Sequence, residues 1–72
     1  MYTEQFGPKL KQARKQNFIT QDEVAKELNI KRYNLSNYET GKREPDLETL
    51  AKLANLYGVT ADWLLGIGKM KP

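Results

Sequence analysis

Along the chain, apolar residues recur three and four positions apart, and no stretch shows the strict alternation of a half-buried strand. Phe6, Leu10 and Ala13 form one stripe and predict a first helix over 3–16. Thr20-Gln21-Asp22-Glu23 has the T-x-x-E spacing of a capping box: the Thr20 hydroxyl accepts from the Glu23 backbone N–H, and the Glu23 carboxylate reaches back to that of Thr20. A second helix starts there, with Val24, Ala25 and Leu28 inward. Asn29 follows at once, a residue that tolerates the left-handed conformation ending many helices. The third predicted helix, 31–39, is of another kind. Only Leu35 and Tyr38 face inward, leaving Lys31, Arg32, Tyr33, Asn34, Ser36 and Asn37 for solvent, and Gly41 stops it. Asp46 caps a fourth helix in which Leu47, Leu50, Ala51, Ala54 and Tyr57 share helical spacing, ended by Gly58. Thr60 caps a last short helix over Ala61–Leu65, where Trp63 and Leu64 close the core and Gly66 ends the run. The pattern predicts an all-α fold of five helices around one core. It makes a single domain over 1–66, with 67–72 as a tail or the start of a linker.

Seventy-two residues stand near the lower limit for a self-supporting core. Such a core supplies only about 3–5 kcal/mol unless something staples it. The chain has no cysteine and no histidine, which removes disulfides, thiolate metal sites and the commonest general base. Asp22, Glu23 and Glu27 are accounted for by the capping box and a solvated face, not by a metal. The expectation is therefore a binding protein with no cofactor, no metal and no enzymatic activity. The N-terminal segment is polar and lacks the apolar region of a signal peptide. No apolar run approaches the roughly 20 residues of a membrane span, so the expected location is the cytoplasm.

The net charge of +3 is modest, but it is unevenly spread. The segment 9–43 carries +5 and the segment 44–68 carries −3. A basic portion beside an acidic one suggests one surface for a polyanion and another facing away. Two short helices joined by a tight turn, the second polar on its exposed face, form a pair suited to reading DNA, because the major groove, about 12 Å wide, admits one helix. Leu35 and Tyr38 anchor that helix while Arg32, Tyr33 and Asn37 project. Amphipathic helical pairs also build protein-interaction modules, and periodicity alone leaves both readings open.

The segments Leu10-Lys-Gln-Ala-Arg14, Thr20-Gln21-Asp-Glu23-Val24-Ala25, Leu35-Ser-Asn-Tyr-Glu39-Thr-Gly41-Lys-Arg-Glu-Pro45 and Leu50-Ala-Lys-Leu-Ala54, with Trp63-Leu-Leu behind them, resemble the Cro/phage-repressor (Xre-like) helix-turn-helix family. The resemblance covers about residues 6–66. It implies the five-helix phage-repressor-like fold and a transcriptional regulator, a repressor above all, bound to a pseudo-palindromic double-stranded operator as a homodimer. By position it assigns base reading to Arg32, Tyr33 and Asn37, and phosphate clamping to Gln21. Lys31, Asn34 and Ser36 become secondary base or phosphate contacts, and Lys42 and Arg43 meet the backbone from a basic loop. Arg14 and Glu39 match a structural ion pair between the first helix and the end of the third. Tyr57, Val59 and Trp63 fall at the end that relatives use for dimer contact. Two departures stand out. Tyr33 is bulkier than the small polar residue common at its place, which suits stacking or contact with a thymine methyl. Asn17-Phe18-Ile19 replaces a turn that more often contains glycine. Compatible alternatives are an antitoxin-like autoregulator, the N-terminal module of a longer regulator, or a protein-interaction module reusing the fold.

Overall fold

A computed structural model describes residues 4–67, so residues 1–3, including Thr3 at the start of the predicted first helix, and residues 68–72 of the predicted 67–72 tail lie outside the described residues. The order is α1 (Phe6–Gln16), α2 (Gln21–Leu28), α3 (Arg32–Thr40), α4 (Leu47–Tyr57) and α5 (Ala61–Leu65), with no strand among the described residues. Helix α1 packs against α3 and α5, α2 against α3 and α4, and α4 against α5. The centre is filled by Phe6, Leu10, Val24, Leu35, Leu53 and Leu64, all fully buried.

The helix ends follow from local chemistry. Thr20 and Glu23 form the reciprocal capping box at the start of α2. Asp46 accepts from the Thr49 backbone N–H at 2.9 Å, and Thr60 from that of Trp63 at 3.0 Å. The Thr49 hydroxyl and N–H together hold the Asp46 carboxyl below the usual carboxylate range. Asn29 ends α2 in the left-handed conformation, φ 57° and ψ 46°. The turn that follows is only Asn29–Lys31 long, with Lys31 extended as the N-cap of α3, so the third helix starts one residue later than its polarity suggested.

Two places depart from expectation. In α4 the buried face is Leu50, Leu53, Ala54 and Tyr57, whereas Leu47 is 77% exposed and Ala51 is also solvent-facing. The stripe is an i, i+3, i+4, i+7 set that begins at Leu50. Leu47, in the first turn, overhangs the core, and Leu53 takes the inward place assigned to Ala51. In the α1–α2 loop, Phe18 itself has φ 57° and is 93% exposed. A bulky residue rarely enters this region. The loop is held by Phe18 N–H to Lys15 C=O at 3.0 Å, Arg14 Nη1 to Ile19 C=O at 3.0 Å and Asn17 Nδ2 to the carbonyls of Ala13 (2.8 Å) and Tyr57 (3.2 Å).

One glycine is required by packing. A Cβ on Gly7 would stand 2.6 Å from the Glu39 carbonyl oxygen and 3.1 Å from that of Tyr38. The start of α1 therefore lies against the last turn of α3, and this contact fixes the angle at which α3 leaves the core.

Candidate nucleic-acid interface

Helix α3 is attached by its back and presents the rest. Leu35 is fully buried and Tyr38 packs half-buried against the core. Glu39, at the end of the helix, is only 7% exposed and faces Arg14 of α1, 9% exposed. The pair is bidentate: Arg14 Nε donates to Glu39 Oε2 at 2.8 Å and Nη2 to Oε1 at 3.2 Å. The side-chain hydrogen bond and the nearby carboxylate charge raise the Arg14 pKa against the opposing pull of burial.

From Glu39 the polar contacts continue outward. Gln21, the first residue of α2, donates from Nε2 to Glu39 Oε1 at 2.9 Å. Its Oε1 accepts from Arg32 Nη1 at 3.2 Å. Arg32 Nε lies 3.1 Å from Asp22 Oδ1, an ion pair between exposed side chains. Sequence reasoning placed Asp22 on a solvated face; its pairing with Arg32 had no sequence signal, because it depends on how α2 and α3 cross.

The other residues singled out from the sequence lie as follows. Tyr33 is 67% exposed, and Lys31, Lys42 and Arg43 are exposed. Asn34, Ser36 and Asn37 are half-buried along the same helix. The Asn37 carbonyl accepts from the backbone N–H groups of Lys42 (2.9 Å) and Arg43 (3.2 Å), which folds the basic loop back against the end of α3. At the far end, Val59 and Trp63 are half-buried and line a groove of about 570 Å³ with Gln12, Gln16 and Thr60. The Lys9 ammonium sits 4.4 Å from the Trp63 ring centroid. Tyr57 is different. It is 4% exposed, built into the core by the inward face of α4, and its side chain is not available to a partner; the dimer contact expected there is corrected to exclude it.

No group of three or more metal-capable side chains occurs among the described residues, and none of their helices is long and apolar enough to cross a membrane. What the arrangement offers is a short helix with donors and acceptors on its exposed side, flanked by cations.

Comparison with known proteins agrees with this geometry. A family profile described as a helix-turn-helix domain matches residues 7–66. The chain is 55% identical over 60 residues to the HTH-type transcriptional regulator ImmR of Bacillus subtilis, covering 83% of this chain and 47% of that protein. It is 47% identical over 60 residues to the SPbeta prophage-derived HTH-type transcriptional regulator YonR of the same organism, covering 83% and 56%. It is 37% identical over 54 residues to the cryptic phage CTXphi transcriptional repressor RstR of Vibrio cholerae, covering 75% and 49%. The chain thus spans about half the length of these curated relatives. With the capped α2, the three-residue turn, the polar α3 and a profile covering most of its length, the chain belongs to the Cro/phage-repressor (Xre-like) helix-turn-helix family.

Proposed function

We propose that this chain is a sequence-specific DNA-binding module of a transcriptional regulator, acting as a repressor by occupying a pseudo-palindromic operator as a homodimer. The observation that carries the reading is the exposed side of α3. Arg32 and Tyr33 are exposed and Asn37 half-buried on a helix whose back is fixed by Leu35 and by the Glu39–Arg14 pair. Lys31, Lys42 and Arg43 flank it as exposed cations. Arg32 supplies a fork of donors for the O6 and N7 of guanine, and Asn37 pairs bidentately with the N6 and N7 of adenine. Tyr33 packs a thymine methyl or stacks. Gln21, at the positive end of α2, takes a phosphate. Asn34 and Ser36 stand beside the readers as secondary contacts, and the basic loop meets the backbone. The names of the phage-derived relatives, one of them a repressor, favour repression. Two copies would set their reading helices about 34 Å apart, one helical turn of DNA. The partly exposed Val59 and Trp63 form the surface through which the copies meet.

The test begins with duplexes selected by the protein from a random pool, whose half-site symmetry and spacing report operator and dimer together. Arg43→Ala should weaken selected and scrambled duplexes alike and reduce the salt slope by about one. Asn37→Ala should relax preference at one base pair, by about 1–3 kcal/mol of discrimination. If Asn37→Ala binds selected and scrambled duplex in the parent's ratio, Asn37 reads no base.

A further inference from the structure

We propose that Asp22 is a specificity-determining positioning residue, which holds the Arg32 guanidinium in the orientation that reads guanine and lowers affinity for DNA as it does so. The proposal rests on the base-reading assignment of Arg32 made above.

The geometry is a clamp with two jaws. Asp22 Oδ1 stands 3.1 Å from Arg32 Nε, and Gln21 Oε1 accepts from Nη1 at 3.2 Å. Both jaws come from the first turn of α2, and Gln21 is itself tied to the buried Glu39 carboxylate at 2.9 Å. A guanidinium has five N–H donors in a rigid plane. Gln21 takes one of the two donors on Nη1, and the Asp22 carboxylate stands beside Nε as an ion-pair partner. Both donors on Nη2 and the second on Nη1 are left. Those two nitrogens form the end-on edge of the fork, the edge that meets O6 and N7 of a guanine from a helix lying in the major groove. Without the Asp22 contact, the Nε–Nη2 edge is equally available, and the long side chain is free to swing to a phosphate instead.

An isolated surface ion pair contributes little to stability, and this one is exposed on both sides. Its effect is on binding. Fixing a rotamer-rich side chain before contact removes an ordering loss equivalent to about 2–10-fold in affinity for the correct base. A phosphate contact by a swung-out Arg32 would gain nothing from this orientation, so the advantage falls on discrimination. The carboxylate also brings a negative charge to a surface that meets a polyanion, which disfavours every sequence alike. Asp22 therefore acts with opposite signs on the two observables.

The experiment measures binding by fluorescence anisotropy to a duplex selected by this protein from a random pool and to its single-base-pair variants. Arg32→Ala identifies the base pair that Arg32 reads. Asp22→Ala should lower discrimination at that same pair by about 2–10-fold while tightening binding to scrambled duplex by about 2–5-fold at low salt, as expected for one charge fewer against the polyanion. Asp22→Asn keeps the shape beside Nε without the charge. It should lose discrimination as Asp22→Ala does and likewise bind scrambled duplex more tightly. In an Arg32→Ala background, Asp22→Ala should leave discrimination unchanged. A role in folding alone would lower both affinities together. If Arg32→Ala removes discrimination at one pair and Asp22→Ala does not, the positioning role is wrong and the base-reading assignment stands. If Arg32→Ala changes discrimination nowhere, the assignment fails and the positioning role falls with it.

Discussion

Glu39 should be the most damaging side chain to truncate on the polar path, and the structure supplies the magnitude. Its carboxylate accepts from Arg14 Nε at 2.8 Å, Arg14 Nη2 at 3.2 Å and Gln21 Nε2 at 2.9 Å, and its side chain is 3% exposed. Glu39→Ala removes all three contacts and leaves the Arg14 guanidinium with its bond to the Ile19 carbonyl at 3.0 Å. Breaking a buried pair from one side costs about 3–5 kcal/mol. The surviving bond and the thin cover over Arg14 place this case near the lower end, about 3 kcal/mol. A domain of this size has about 3–5 kcal/mol in total, so a large fraction of the variant should be unfolded in water at room temperature. Urea unfolding followed by far-UV circular dichroism and Trp63 fluorescence measures the difference directly. The double variant Arg14→Met/Glu39→Leu, which replaces the pair with apolar groups, should recover most of the loss. A loss below about 1 kcal/mol with an unchanged m-value would match a solvated surface pair. It would refute the claim that the pair fixes the end of α3.

Two further outcomes follow from groups that the fold holds against their preference. The Tyr57 hydroxyl is buried with no hydrogen-bond partner among the described residues, and burial, with the Glu39 charge beside it, pushes its pKa well above 10.0. Tyr57→Phe should stabilise the protein by about 1 kcal/mol near neutral pH. Because the folded-state pKa is the higher one, the contribution is intact below pH 10 and is lost as pH rises above it. Between the unfolded and folded values, parent stability should fall by about 1.4 kcal/mol per pH unit relative to Tyr57→Phe, as chemical unfolding across alkaline pH would show. Phe18 sits at φ 57° in the α1–α2 loop. Phe18→Gly should relieve about 1–2 kcal/mol of left-handed strain and return about 0.5–1 kcal/mol as unfolded-chain entropy. The net expectation is a rise of a few degrees in Tm, and a lower Tm would show that the Phe18 ring contributes contacts that outweigh the strain.

How much of this was legible in the sequence depends on the range of the interaction concerned. Caps at Thr20, Asp46 and Thr60 and left-handed stops at Asn29, Gly41, Gly58 and Gly66 were readable because each is settled within a few residues by hydrogen bonding or φ. The face of α4 was misread at Ala51 and Leu47. Several apolar residues on one short helix fit more than one stripe, and only the positions of α2 and α5 select the one containing Leu53. The buried state of Arg14 and Glu39 had no periodic signal, since both are polar residues on helices with mixed faces, and it came from resemblance. The contacts of Arg32 with Gln21 and Asp22 were invisible, because they form across a turn between side chains whose distance is set by the helix crossing. Close packing at Gly7 was equally silent, since the atoms it meets are carbonyls at the other end of α3.

The same long-range geometry decides what Gln21 is able to do. Its amide donates from Nε2 to Glu39 and accepts at Oε1 from Arg32, so the two ends of the amide are assigned by the charges they face. A primary amide has two N–H donors, and only one is engaged. The second is left at the start of α2, where the helix dipole favours an anion. In the proposed complex, therefore, Gln21 does not have to release Glu39 in order to meet a phosphate. It meets three demands at once: a carboxylate, a guanidinium and a phosphate. No other side chain satisfies all three from that position. Glutamate has no donor for Glu39, lysine has no acceptor for Arg32, and asparagine is one methylene short. Gln21 thus joins the buried pair that fixes α3 to the arginine that projects from it. This connection ties the first turn of α3 to α2 at the surface through Arg32, while its last turn is held in the core through Glu39.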